Sequence, residues 1–136
     1  FDIGGDDSGC KIVGGLKDRL EKVDFSLYFV VNTRRPFTDS IEKIIHMKNI
    51  LEDSCKMKIT DIINNTNLLE FSQINDLVES NKLIAEVSSK TGTPFAFCCG
   101  MEEIIPTEWN NKAPGGEELM VLRRTINYYG DTGFLY

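Results

Sequence analysis

Short apolar runs alternate with amphipathic helical stretches along this chain at intervals of about 34 residues, and that alternation constrains the fold more than any other feature. Residues 25–31 read Phe-Ser-Leu-Tyr-Phe-Val-Val, and residues 58–63 and 95–99 are similar runs. Such runs are what a strand covered on both faces needs. Between them, Ile41, Ile44, Ile45, Met47 and Leu51 recur at helical spacing, and so do Ile74, Leu77, Val78, Ile84 and Val87. Strands alternating with amphipathic helices predict a parallel sheet with right-handed crossovers. The expected fold class is therefore α/β: a three-layer, mainly parallel sheet with flanking helices. The segments share no sequence, so the period is that of βαβ units and not of a solenoid.

Local signals set the boundaries. Ile12, Val13, Leu16, Leu20 and Val23 predict a helix over residues 9–23, capped by Asp6, Asp7 or Ser8. Gly14-Gly15 in its middle either weakens it or lets it pack closely on a neighbour. Thr38 or Asp39 is expected to open the helix that runs to about residue 54, with Asp39 and Glu42 as an acidic capping box. Ser72 or Asn75 is expected to cap the next helix, and Thr91-Gly92 to close it. Residues 1–3 read as the end of a buried strand. Residues 101–114 read as a loop with a helical turn near Trp109, residues 117–129 as a last helix, and residues 130–133 as a turn before an aromatic tail. No linker divides the 136 residues, which suit one domain.

Charge and cysteine content narrow the function classes. Acids and bases balance over residues 1–60, ten of each, so the net charge of -6 arises beyond them. No cluster of Lys or Arg stands out to recruit nucleic acid. No run approaches the roughly 20 apolar residues of a membrane span, and residues 1 onward do not read as a signal peptide. The four cysteines lack metal-ligand spacing and read as reduced, buried thiols of a cytoplasmic protein. His46, the one histidine, lies mid-helix and reads as structural, and Trp109 reads as packing.

Ligands of open parallel sheets bind outside the carboxyl ends of the strands. The segments leaving those ends are Asp2-Ile3-Gly4-Gly5-Asp6-Asp7, Asn32-Thr33-Arg34-Arg35, Asn64-Asn65-Thr66-Asn67 and Gly100-Met101-Glu102-Glu103. An acidic residue followed by paired glycines suits a loop that senses phosphate and metal. The carboxylate holds a magnesium ion or its water, and the glycines let the backbone approach a phosphate. The ordinary alternatives stand beside this reading: a turn plus helix cap at Asp2, solvated arginines at Arg34 and Arg35, and Asx-turns at Asn64 and Asn65.

Asp2-x-Gly-Gly, the strand ending in Asn32, and Ile62-Ile63-Asn64 before a helix resemble the carboxy-terminal half of the ParA/MinD-like P-loop ATPases, which carry a deviant Walker motif. The resemblance covers roughly residues 1–103. It implies that Asp2 is the Walker-B aspartate that holds Mg2+ through water and that Gly5, after Gly4, is the switch glycine sensing the γ-phosphate. It also implies that Asn64, or Asn65 in the alternative register, reads the adenine edge, and that Gly100 and Met101 fall where a loop covers the base. ATP and Mg2+ are the implied cofactors, and a homodimer sandwiching them the implied partner state. The family's phosphate-binding loop lies upstream of the switch loop and is not among these residues, so the chain is expected to be the rear half of a longer protein. Cys10 follows Asp2 at one residue more than the cluster-ligating cysteine of the nitrogenase iron protein and reads as packing. The competing reading is a non-catalytic α/β protein-interaction module.

Overall fold

The computed structural model describes residues 1–4 and 7–125, and of Asp7 and Ser8 the backbone alone. It is an α/β protein with a four-stranded, all-parallel sheet and flanking helices, consistent with a three-layer fold. The strands are β1 (Tyr28–Val31), β2 (Asp61–Asn64), β3 (Phe95–Met101) and β4 (Leu119–Leu122), adjacent in space in the order of the chain. The helices are α1 (Asp7–Gly14), α2 (Lys17–Leu20), α3 (Ile41–Cys55) and α4 (Ile74–Thr91). Helix α3 crosses from β1 to β2, and α4 from β2 to β3. Short 3-10 turns occupy Leu69–Phe71, Glu102–Ile104 and Thr107–Trp109, the last being the helical turn expected near Trp109.

The periodicity argument locates the core. Phe29, Val31 and Ile62 pack on one face of the sheet with Ile44 and Leu51 of α3, Ile84 and Val87 of α4, and Cys10 of α1. A second cluster joins Leu77, Cys98, Ala113 and Leu119, with Ile105 and Trp109 against it. Gly14 is where α1 meets α3: a Cβ there would lie 3.0 Å from the Cys55 carbonyl oxygen and 3.2 Å from its Cα. The far side is backbone, so even a methyl group would need the helices to give by a few tenths of an ångström, which makes Gly14 a close helix contact.

Several boundaries differ from the sequence reading. The expected helix over residues 9–23 breaks at Gly14-Gly15 into α1 and α2, as the weak helix propensity of glycine allows. Ser40, not Thr38 or Asp39, caps α3; its Oγ accepts from Lys43 N–H at 3.3 Å. Asp39 instead pairs with Lys43 Nζ at 2.6 Å, and Thr38 donates to Asn32 O at 2.7 Å. Neither Ser72 nor Asn75 caps α4. Gln73 does, and its N–H donates to the Asp76 carboxylate at 2.9 Å. Ser72 accepts from Leu68 N–H at 2.7 Å instead. Gly92, with φ of +70°, closes α4 as expected.

The helix expected over residues 117–129 is overturned where it is described. Leu119–Leu122 is a strand, parallel to β3 in the register Cys98↔Leu119 to Met101↔Leu122. A four-residue apolar run fits either period, and the unpaired edge of β3 decides the matter by offering backbone partners. Residues 1–4 form no strand, and Phe1 is fully exposed rather than buried. The remainder of the expected last helix from residue 126, the turn at 130–133, the aromatic tail, Gly5, and the caps at Asp6, Asp7 and Ser8 lie outside what is described.

Candidate functional site

The exits of β1 and β2 are tied together. Asn32 Nδ2 donates to Asn67 O at 2.9 Å, and Thr33 N–H donates to Thr66 Oγ1 at 2.9 Å. Asn65 N–H donates to Val31 O at 2.8 Å, and Asn67 Nδ2 donates back to Asn65 O at 3.0 Å. These short polar residues satisfy backbone groups where the ladder ends, so both loops hold one shape.

Asn64 sits beneath them with no exposed surface. Its amide donates to Ser80 Oγ and to Asn81 Oδ1, each at 2.7 Å, and its carbonyl accepts from Thr66 N–H at 3.0 Å and Thr66 Oγ1 at 2.7 Å. Four hydrogen bonds fill the capacity of the side chain, so in this arrangement Asn64 joins β2 to α4 and has nothing left for a ligand. Asn65 is half-buried and stays at the surface of the loop. Gly100 and Met101 belong to β3 rather than to a loop. Gly100 is buried, and a Cβ there would meet the side-chain ends of Ile105 and, at 3.2 Å, Leu77, so a larger residue would have to push them aside.

Arg34 is held by charge. It meets Asp76 at 2.6 and 3.0 Å and Glu79 at 3.0 Å, which fastens the β1 exit to the first turns of α4 and raises its pKa through those carboxylates. Arg35 is exposed, as is His46 on α3.

Met101 leads to the cavity. At the carboxyl ends of β3 and β4 lies a cleft of about 550 Å³, within the range of small-molecule sites. Met101, Ile104 and Leu122 supply apolar wall from the sheet side, and Asn67, Leu69 and Ser72 come from the β2 exit. Leu69 has φ of +55°, a left-handed backbone that a bulky residue rarely adopts, and its side chain stays 54% exposed. Glu102 and Arg123, from the ends of β3 and β4, form a two-pronged pair at 2.5 and 2.6 Å. The Arg123 guanidinium holds the Glu102 carboxyl below its usual range. Glu102 was named by sequence as part of the β3 exit, whereas Leu69 and Arg123 were not, Arg123 because the strand that brings it to the cleft was read as helix.

Asp2 and Gly4 lie elsewhere. Both are exposed, and they border the outer edge of β1, whereas the cleft lies at β3 and β4. Among the described residues no group of three or more His, Cys, Asp or Glu comes together.

The cysteines are free thiols, all buried. Burial raises the Cys98 pKa, against a 3.3 Å hydrogen bond from Asn81 Nδ2, and burial followed by the neighbouring Cys98 pushes Cys99 up to about 11. A thiol is nucleophilic only as thiolate. Cys98 and Cys99 are therefore expected to resist iodoacetamide at pH 8 in the native protein and to react once urea unfolds it, as counted by intact mass. Rapid native labelling at Cys98 or Cys99 would contradict this placement. No described helix is long and apolar enough to cross a membrane.

Comparison of the chain with protein-family models, with curated proteins and with solved structures returns no match.

Proposed function

We infer that the chain is the base-binding and switch portion of a nucleotide-dependent ATPase of the ParA/MinD-like class. The observation that carries this reading is the cleft of about 550 Å³ at the carboxyl ends of β3 and β4, beside the asparagine-rich exit of β2. A parallel sheet presents ligands at that end. The walls suit a purine: Met101, Leu69 and Leu122 offer apolar contact to its faces, and Asn67 offers a hydrogen bond to its edge. Asp2 and Gly4, at the outer edge of β1, serve the phosphates and their Mg2+. Phosphate binding then requires a loop from outside these residues, and the γ-phosphate biases a dimer interface through the switch loop.

The test is a thermal melt of the gene product with and without Mg·ATP. Ligand at a hundred times its dissociation constant adds about 2.7 kcal/mol to stability. The melting temperature is expected to rise with Mg·ATP, and the rise to vanish in Met101→Asp, which sets a carboxylate against the base. An unchanged melting temperature at millimolar Mg·ATP would overturn the reading. A protein-interaction module is the second reading, favoured by the position of β1 as an end strand of the sheet.

A further inference from the structure

Helix α4 carries Val78, Asn81 and Lys82 three and four residues apart, on one face. That face meets the turn leading into β4. Lys112 and Glu118 bridge the arms of the turn, with their side chains paired at 2.6 Å, and Gly116 N–H donates to Ala113 O at 2.8 Å. Pro114, Gly115 and Glu117 of the turn enclose a cavity of about 290 Å³ with the three residues of α4. It shares no described lining residue with the cleft at the carboxyl ends of β3 and β4.

Two opposite charges line this cavity. Neither the Glu117 carboxylate nor the Lys82 ammonium makes an ion pair among the described residues, with each other or with a third group. Glu117 Oε2 is buried and has no hydrogen-bond partner among them. Buried polar atoms of native proteins nearly always have one, so this oxygen calls for a donor from outside. Gly115 leaves the carboxylate its place: a Cβ there would lie 2.8 Å from Glu117 Oε2. Asn81 is fixed by Asn64, whose amide donates to its Oδ1, and it gives one Nδ2 proton to Cys98 Sγ at 3.3 Å. No described group takes its other proton.

We propose that this cavity binds a free α-amino acid with a short apolar side chain. The ligand's ammonium donates to Glu117 Oε2, its carboxylate accepts from Lys82 Nζ and the second Asn81 N–H, and its side chain lies against Val78 and Pro114. The two charges together do the selecting. Lys82 repels a bare amine or a metal cation, and Glu117 repels a bare acid. A ligand that carries both charges a few bonds apart satisfies the two at once, through charge-assisted hydrogen bonds. A peptide amino terminus lacks the carboxylate that Lys82 needs. This inference stands on the cavity between α4 and the turn and does not rest on the nucleotide reading.

The probe is L-valine, titrated into the isotope-labelled protein without nucleotide and followed by backbone amide chemical shifts. Shifts are expected to concentrate at Lys82 and at residues 115–117 and to saturate at millimolar ligand. Isobutylamine and isovalerate, which each keep one of the two charges, and L-valinamide, which mimics a peptide amino terminus, are expected to bind about tenfold more weakly. Glu117→Gln is expected to weaken valine by about tenfold and to improve isovalerate. Lys82→Met is expected to weaken valine and to improve isobutylamine, and Lys82 is exposed, so its replacement spares the fold. A merely structural role for either residue would not exchange ligand preference in this way. No saturable shift with L-valine, equal affinity for valine and any of the three analogues, or valine binding unchanged in both variants overturns the proposal.

Discussion

Asn64→Ala is expected to destabilise the fold by about 3–5 kcal/mol, read as a lowered urea midpoint. The side chain is fully buried, and its loss strips a donor from Ser80 Oγ and from Asn81 Oδ1 and an acceptor from the Thr66 N–H and hydroxyl. Each buried polar group left unpaired costs about 1–3 kcal/mol, and the vacated volume adds to that. Such a loss is a large share of the 5–15 kcal/mol that holds a typical domain. The consequence for function is direct. Weaker nucleotide binding in this variant would follow from a loosened β2–α4 junction whether or not the amide ever meets a base. Asn65→Ala is the cleaner probe of the proposed base contact, because the Asn65 backbone, not its side chain, holds the loop through its hydrogen bonds to Val31 and Asn67. A midpoint for Asn64→Ala within about 0.5 kcal/mol of the parent would show that the network contributes little.

Glu52→Ala is the second large effect. The Glu52 carboxylate is 6% exposed and meets Lys48 Nζ at 2.8 Å, Lys58 Nζ at 2.9 Å and the Ile59 N–H at 2.9 Å. It ties the last turns of α3 to the segment entering β2. Truncation leaves the Lys48 ammonium, itself 7% exposed, without its partner. Breaking one side of a buried pair costs about 3–5 kcal/mol, whereas removing both charges is often close to neutral. The double variant Lys48→Met/Glu52→Gln, which keeps an acceptor for Ile59, is therefore expected to recover most of the loss. If it is no more stable than Glu52→Ala, the buried-charge explanation fails.

The same carboxylate makes stability depend on pH. Burial alone would raise the Glu52 pKa, but Lys48, Lys58 and the Ile59 N–H outweigh it and hold the group below its ordinary 4.5. A depressed folded pKa contributes stability that is present above 4.5 and lost as pH falls through the folded value. Acid unfolding of the parent should therefore steepen below pH 4.5, and the double variant should lose that component.

Local pattern reaches a short distance along the chain, and its successes and failures follow from that. Phe29, Val31 and Ile62 announced buried strands, and Ile44, Leu51, Ile84 and Val87 announced helix faces; these residues are the observed core. Trp109 and Cys98 were read as packing and pack together with Leu77 and Leu119. The caps went astray by one or two residues, since Thr38, Asp39, Ser40 and Ser72 are all competent and only the finished turn selects among them.

The sequence by itself determined the layering: which stretches bury apolar residues on a period of two or of 3.6, and in what order they follow. Tertiary structure decided everything that needs a distant partner. β4 is a strand because β3 offers it hydrogen bonds 21 residues earlier in the register Cys98↔Leu119. Asn64 is a buried joint because Ser80 and Asn81 arrive from α4. Arg34 is anchored by Asp76 and Glu79, more than forty residues on. The physical reason is common to all three: hydrophobic periodicity is a property of one segment, but a hydrogen bond or ion pair is satisfied only by the group that folding brings within about 3 Å.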